Sequence, residues 1–347
     1  MTDYLAQLGG TFLNRLIQGE PGVFIGPISA ALGWIINIIY TLWSFITPAG
    51  ALGVAIIIMT IIVRTALLPS SAKMVRNNQK MRVMKPEMDK INEKYGATRD
   101  PELRRKKQLE IQALQQKHGI NMLATCLPML ITWPLFMALF AVLNQAFLFV
   151  GSVGDVYSNL SYALINLEGI EPGFLYNTMA PLAREVTPMS LSGLISLDVV
   201  SDMNRIIHVL SPESWEVIFS SITDTAARTN IQQLYDTKVG VSTFLTINLV
   251  NPAGTAFPGV LLPILSALTM FLSQYLMNRL NPAMDGQART MQKVTMFIFP
   301  VMFAFFTIGA PAGVGVYWVM LNVCMAVQHY FIVKYYAKKD AAAQAKA

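Results

Sequence analysis

Arg64 is the residue whose type and position most clearly indicate chemistry in this 347-residue chain. It lies in the apolar run 51–68, and an arginine at the centre of a membrane helix costs about 2.5–3.5 kcal/mol on insertion scales. A carboxylate is its usual partner, yet no acidic residue occurs in the four stretches that contain the apolar runs, 21–86, 119–154, 237–284 and 286–339. Arg64 therefore either extends to the membrane surface or faces a wet cavity, where it would attract an acidic ligand. The charge alone leaves both interpretations open.

The other reactive side chains form no recognisable site. Cys126 and Cys324 lie in apolar runs, which favours buried hydrophobic roles over a disulfide or a thiolate. The three histidines lack metal-ligand spacing, and the apolar runs hold no acid–base pair. We therefore expect no metal, no cofactor and no enzymatic activity. The polar residues of the apolar runs either line a cavity or make interhelical hydrogen bonds; they are Thr60, Thr132, Asn144, Gln145, Ser273, Gln274, Asn322 and Gln328.

The composition shows which kind of structure must position these residues. Hydrophobic residues make up 54% of the chain and charged residues only 13%, whereas soluble domains average about 25% charged residues. The mean hydropathy is +0.46. These values exclude a soluble globule, a disordered chain and a fibrous repeat. They predict an all-α polytopic membrane protein.

Five apolar runs approach the length of about 20 residues that a membrane helix needs. They predict a five-helix transmembrane core with a cytoplasmic helical hairpin, preceded by an N-terminal helix. The run 23–46 lacks a basic n-region and is too long for a signal-peptide core, so it either lies on the membrane surface or crosses it. The predicted segments are a tail with an interfacial helix (1–50), spans at 51–69, 122–150, 257–278, 295–310 and 311–335, the hairpin (70–121), an extracytoplasmic insertion (151–256), a cytoplasmic loop (279–294) and a short basic cytoplasmic tail (336–347).

Loop charges predict the orientation of these spans. Residues 70–122 hold 13 basic and 6 acidic side chains, whereas residues 151–256 hold 4 basic and 10 acidic ones. Cytoplasmic loops are enriched in Lys and Arg. We therefore expect a multi-pass membrane protein whose N-terminus is outside and whose C-terminus is cytoplasmic.

The basic loop is expected to form two helices, one ending at Gly96 and the other beginning after Asp100 and ending at Gly119. Methionines at helical spacing, including Met81, Met84 and Met88, form a narrow apolar stripe on the first helix. One interpretation is that the stripe packs only on the partner helix. The other is that it forms, with the neighbouring Lys85 and Lys94, a soft surface that recruits varied clients.

The ordered motifs of the chain resemble the YidC/Oxa/Alb family of membrane protein insertases, in the form without a large N-terminal periplasmic domain. The resemblance covers roughly 27–150 and 244–335. The motifs that carry it are 56–69 with its basic Arg64, Lys85-Pro86-Glu87, Glu93-Lys94-Tyr95, 117–121, 126–131 with Pro134, 244–249, 262–265, Pro311-Ala312-Gly313, Tyr317-Trp318, Asn322 and Gln328. Thr132 and Ser273 stand where the family usually has glutamine.

This resemblance implies a hydrophilic groove, open to the cytoplasm and to lipid, in which Arg64 draws in the acidic tail of a client. It implies that the client's apolar segment then enters the lipid of the bacterial cell membrane. The groove residues would be Arg64, Thr60, Thr132, Ser273, Gln274, Trp318 and Asn322. The implied partners are nascent membrane proteins and lipid, with the Sec translocon and the ribosome as partners to test and no specific nucleic acid.

The alternative function is a polytopic transporter or channel that uses Arg64 for an anionic solute. Against it, the sequence shows no inverted repeat and no glycine-interrupted half-helices in matching positions. A membrane enzyme acting on lipid is a further class, and the spans offer it no His/Asp/Glu constellation.

Overall fold

The computed structural model describes residues 25–47, 49–96, 100–120, 122–186, 196–280 and 286–344. In these ranges the chain is almost entirely helical. The helices are α1 (Gly26–Ser44), α2 (Ala51–Ala66), α3 (Leu68–Tyr95), α4 (Pro101–Lys117), α5 (Met122–Asn144), α6 (Ala146–Phe149), α7 (Gly151–Asn166), α8 (Ala180–Val186), α9 (Val200–Val209), α10 (Pro212–Ser221), α11 (Thr225–Ser242), α12 (Leu261–Leu280), α13 (Gly286–Gly309) and α14 (Ala312–Gln344).

Short irregular elements complete the fold. A 3₁₀ turn (Leu167–Gly169) and a π-helical turn (Leu175–Met179) follow α7, and strands β1 (Thr243–Phe244) and β2 (Ile247–Asn248) pair antiparallel. The chain divides into two compact units, one formed by 1–59, 137–252 and 311–314 and the other by 60–136, 253–310 and 315–347.

Several described helices are long and apolar enough to cross a membrane. Four helices have the required length and hydropathy by themselves, namely Gly26–Ser44, Leu261–Leu280, Gln292–Gly309 and Ala312–Ala342. The bent pair Ala51–Ala66 and Leu68–Met81 makes a fifth candidate, and Ile131–Asn144 is a shorter apolar helix. The predicted fold class, an all-α polytopic membrane protein, is confirmed. Because α1 also has the length and hydropathy of a span, the choice between an interfacial and a crossing helix stays open.

The bend of 55° between α2 and α3 has a local cause. Pro69 lies in the first turn of α3. Proline has no backbone N–H and its ring clashes with the carbonyl four residues earlier, here that of Thr65. The helix therefore breaks at Leu67 and restarts at once, so α3 follows α2 without a loop.

The hairpin of α3 and α4 forms where the sequence predicts it. Gly96 and Gly119, both with positive φ, end the two helices, and the Asp100 side chain accepts a hydrogen bond from the Glu102 backbone N–H at 2.9 Å. The hairpin has its own small core of Met84, Leu114 and Ile120, against which the partly buried Met81, Met88 and Ile91 pack. These contacts belong to the unit that also contains α12 and α13, which pack along each other.

The insertion 151–256 contributes most of the other unit. Helix α7 packs against α9 and α11, and the buried side chains include Tyr157 and Trp215. Ser211 begins α10 by accepting a hydrogen bond from the Ser214 backbone N–H. We refer to residues 151–242 as the cap.

Three helix ends differ from the predicted segment boundaries. Helix α5 ends at Asn144, and Gln145 interrupts the helical conformation before the short α6. The predicted loop 279–294 is helical from Gly286 onward, and its residues 281–285 lie outside the described residues. The last helix runs to Gln344 through most of the predicted tail, because the alanines and lysines there are strong helix formers.

Candidate functional site

The Arg64 guanidinium is buried and bonded to an amide. Arg64 as a whole is 9% exposed. Nη2 of Arg64 donates to Oε1 of Gln328 at 3.0 Å, and Nε2 of Gln328 donates to the Arg64 carbonyl oxygen at 3.0 Å. Arg64 lies in the last turn of α2, where helix carbonyls lack intrahelical donors. Gln328 thus binds both polar ends of one residue and fixes the orientation of the guanidinium.

No carboxylate among the described residues forms an ion pair with Arg64. Gln328 is neutral, and the stretch 286–339 that contains it has no acidic residue. Nε of Arg64 is buried and has no hydrogen-bond partner among the described residues. Tyr317 and Cys324, also on α14, lie within electrostatic range of the guanidinium. The site is therefore a buried cation that can still bind an anion.

The other predicted groove residues include several buried polar groups. Thr60, one turn before Arg64, is completely buried, and Ser273 and Asn322 are nearly so. Thr132 and Gln274 are half-buried. Ser273 Oγ and Asn322 Nδ2 have no hydrogen-bond partner among the described residues. Each unpaired buried polar atom costs about 1–3 kcal/mol, so these atoms favour contact with water or with another polar group.

The sequence analysis missed Ser266 and the pairing role of Gln328. Ser266 is buried on α12, and its Oγ likewise has no partner among the described residues. It lies two helical turns before Ser273, so the seven-residue spacing would have placed both serines on one face. Gln328 was recognised as a polar residue in a span, but no local pattern connects it to Arg64.

Trp318 lies in an aromatic cluster. It is 7% exposed, and its ring is 4.3 Å from that of Phe303, 4.8 Å from that of Phe136 and 5.7 Å from that of Phe306, measured between centroids. Contacts of this kind add to the burial of apolar area. The immediate role of Trp318 is to pack α14 against these phenylalanines.

The hairpin residues divide into packing and ion-pairing side chains. Met84 is completely buried, Met81 and Met88 pack beside it, and Lys85 is half-buried. Lys94 Nζ lies 2.5 Å from Glu110 Oε1, a carboxylate that also accepts a hydrogen bond from Tyr95. This ion pair raises the pKa of Lys94. Met84 therefore packs against the partner helix, with Met81 and Met88 beside it.

A second ion cluster joins the other end of the hairpin. Glu87 accepts from Lys117 Nζ and from His118 Nε2, each at 2.9 Å. The hydrogen bonds from Lys117 and His118 hold the pKa of Glu87 below its ordinary value. The side chains of His118 and Glu87 are thus bonded to each other within the hairpin. The residues that the structure describes contain no group of three His, Cys, Asp or Glu side chains that could hold a metal ion.

Comparison with known proteins gives a consistent result. The family described as "60Kd inner membrane protein" matches residues 44–339. Membrane protein insertase YidC 1 of Bacillus anthracis is 24% identical over 318 residues, 91% of this chain and 82% of that protein. Membrane protein insertase YidC of Bifidobacterium longum is 24% identical over 303 residues, 86% of this chain and 71% of that protein. Membrane protein insertase MisCA of Bacillus subtilis is 38% identical over 112 residues, 31% of this chain and 42% of that protein. None of these names favours a transporter or channel.

Proposed function

Because this chain belongs to the YidC/Oxa/Alb family of membrane protein insertases, we propose that it inserts client segments through a hydrophilic groove in which Arg64 is the first contact. Its clients are nascent membrane proteins and its location is the cell membrane. The observation that carries the proposal is the buried Arg64–Gln328 pair, which holds a cation in the spans without a carboxylate.

The first step of the mechanism is electrostatic capture. An acidic residue in the client's tail approaches Arg64 and takes the position that no internal carboxylate occupies. Two unit charges about 4 Å apart attract by about 1 kcal/mol in water and by about 4 kcal/mol at an effective dielectric constant of 20. This range suits brief capture, since the client must later leave the groove.

The second step moves the client's apolar segment into lipid. The buried polar atoms of Ser266, Ser273 and Asn322 support a hydrated path for the client's polar tail. The free energy comes from removing the client's apolar surface from water. We therefore propose that insertion involves no covalent chemistry, no cofactor and no enzymatic activity.

The hairpin and the loop charges support further details. The methionines of the hairpin are used for its own packing, so we propose that it meets clients through its exposed surface, including Lys94. The basic 70–122 segment and the acidic 151–256 segment support a cytoplasmic C-terminus and an outer N-terminus. Because the chain belongs to this family, we also propose the Sec translocon and the ribosome as partners.

The test is complementation of insertase-depleted cells with variants at position 64. We expect Arg64→Ala to reduce insertion of acidic-tailed clients about tenfold, corresponding to about 1.4 kcal/mol of lost attraction. Arg64→Lys should retain most activity because it keeps the charge. A client whose tail lacks acidic residues should insert equally well with all three proteins.

Arg279→Ala is the matched control, because Arg279 is an exposed basic residue at the end of another candidate span. It should leave insertion of both clients unchanged. Equal insertion of the acidic-tailed client by wild type and Arg64→Ala would overturn the role of Arg64. Photocrosslinking of a nascent client from positions 64 and 318 tests in addition whether the client passes both residues.

A further inference from the structure

The turn between β1 and β2 presents an apolar side chain at the cost of an unfavourable backbone. Leu245 and Thr246 form a two-residue turn with φ of 47° and 68°. Two-residue hairpin turns with positive φ at both positions favour Asn-Gly, because other side chains are strained there. Leucine and β-branched threonine are poor choices, yet Leu245 is 77% exposed. Its contacts within the described chain do not account for its presence.

The turn is seated where two candidate spans begin. The Phe244 ring packs so closely on Gly50 and Gly53, at the start of α2, that Gly53 has no room for a Cβ atom. The segment after β2 is bonded to the start of α14, since the backbone N–H groups of Ala312 and Gly313 donate to residues 251 and 249 at 2.8 Å. Both helices are candidate spans. The strand pair therefore lies level with the ends at which these two candidate spans begin.

The chain segments that form this turn and its described contacts carry no charge. No charged residue occurs in 21–63 or in 239–278. Phe45 and Ile46, which precede Gly50 by a few residues, are 83% and 75% exposed. In contrast, residues 151–256 contain 10 acidic side chains. An exposed, uncharged and apolar rim at the end of membrane spans is typical of a surface that contacts lipid.

We propose that Leu245, Phe45 and Ile46 insert into the bilayer interface of the leaflet in which α2 and α14 begin. The occupant of this surface is lipid, at the boundary between headgroups and acyl chains. The strained turn directs Leu245 into the bilayer, and burial of the leucine in lipid offsets the strain. These three residues thus anchor the segment that follows the cap to the membrane. This role is independent of client capture at Arg64.

The test uses spin labels in the full-length protein in phosphatidylethanolamine–phosphatidylglycerol vesicles. In a Cys126→Ser, Cys324→Ser background, a nitroxide is attached at Leu245→Cys or, as the control, at Val217→Cys. Val217 is an exposed apolar residue of α10 that directly follows the acidic Glu216. We expect collision with oxygen, relative to a water-soluble nickel complex, to be several times more frequent at 245 than at 217. Equal, water-like values at both positions would overturn the proposal.

A double variant provides a second measurement. Leu245→Asn with Thr246→Gly gives the turn the residues that its backbone favours and removes the apolar tip. In detergent this variant should unfold at the same temperature as the wild type or higher. In vesicles, amide hydrogen exchange of residues 243–249 should become faster than in the wild type. Unchanged exchange in vesicles would show that lipid does not hold the turn, whatever the label at 245 reports.

Discussion

Among the residues that the structure describes, each of the two compact units contains one buried cation, and the two are held differently. Arg64 is bonded to one neutral amide and has an unpaired Nε. Lys238 donates to the Ile207 carbonyl at 2.8 Å, and its Nζ lies 5.3–5.8 Å from the ring centroids of Tyr157, Trp215 and Tyr235. The lysine is enclosed by groups that the chain itself supplies, whereas the arginine keeps donor capacity for something else.

The chemistry of the two side chains matches this difference. Burial lowers the pKa of Lys238 to about 8, so a lysine can shed its proton when its surroundings change. A guanidinium stays charged in proteins. A residue that must attract client carboxylates under all conditions is therefore better as arginine. A residue that mainly fills an aromatic pocket can be lysine.

The largest expected effect is on the stability of the cap. Lys238→Ala removes the side chain among the three rings and leaves a cavity and an unpaired carbonyl, which should cost about 3–5 kcal/mol of cap stability. Lys238→Met keeps the volume and should cost less than about 1.5 kcal/mol. Hydrogen exchange of the cap helices in the full-length protein measures both. Equal losses for Ala and Met would mean that the charge, and not the packing, matters at position 238.

The next effect is the pH dependence of the cap. His208 is bonded to the Tyr157 hydroxyl at 3.4 Å. Burial and the nearby Lys238 lower the pKa of His208 to about 4 from 6.5. The unfolded chain therefore binds a proton more readily, so stability is fully present above pH 6.5 and is lost as pH falls toward 4. The loss approaches about 3 kcal/mol. His208→Gln should remove this part of the dependence, and an unchanged acid profile would show that other groups cause it.

A substitution at Arg64's partner sharpens the comparison from the other side. Gln328→Glu supplies the internal carboxylate that the sequence lacks, so Arg64 would form an ion pair as complete as the enclosure of Lys238. Insertion of acidic-tailed clients should then fall about tenfold, because the client competes with a fixed anion. Gln328→Leu removes the amide without adding charge and should reduce insertion less. The order is read from complementation and client crosslinking, and the reverse order would argue against electrostatic capture.

The parts of this structure that the sequence predicts are local ones. Asp100 with Pro101 begins a helix, Gly96 ends one, and the basic hairpin follows from these signals and from its charge. The apolar runs likewise predict the spans because burial in lipid depends on each helix by itself. The bend at Leu67 was not predicted, although Pro69 carries the signal.

The parts that were not predictable depend on long-range packing. Gln328 is 264 residues from Arg64 in the chain, and nothing local distinguishes it from the other amides in the spans. The environment of Trp318 is set by phenylalanines on two other helices. The methionine stripe allowed two interpretations because helical spacing shows that a face is apolar but not what covers it.

The smallest expected effect concerns a third cation, which is only half-buried and so is a reference for the two buried ones. Arg76 Nη1 lies 2.5 Å from Asp340 Oδ2, and its guanidinium lies 5.2 Å from the Tyr336 ring centroid. It joins α3 to α14, and Asp340 lies twelve residues beyond Gln328 on α14, about 18 Å along the helix. Because this ion pair is open to water, Asp340→Asn should leave the unfolding temperature unchanged. It should only speed hydrogen exchange near Arg76 at low salt.

At 1 M salt, where the screening length is about 3 Å, wild type and variant should exchange alike, whereas the buried pair of Arg64 and Gln328 should not respond to salt. A salt-sensitive Arg64 site would mean that the groove is as open to ions as the protein surface.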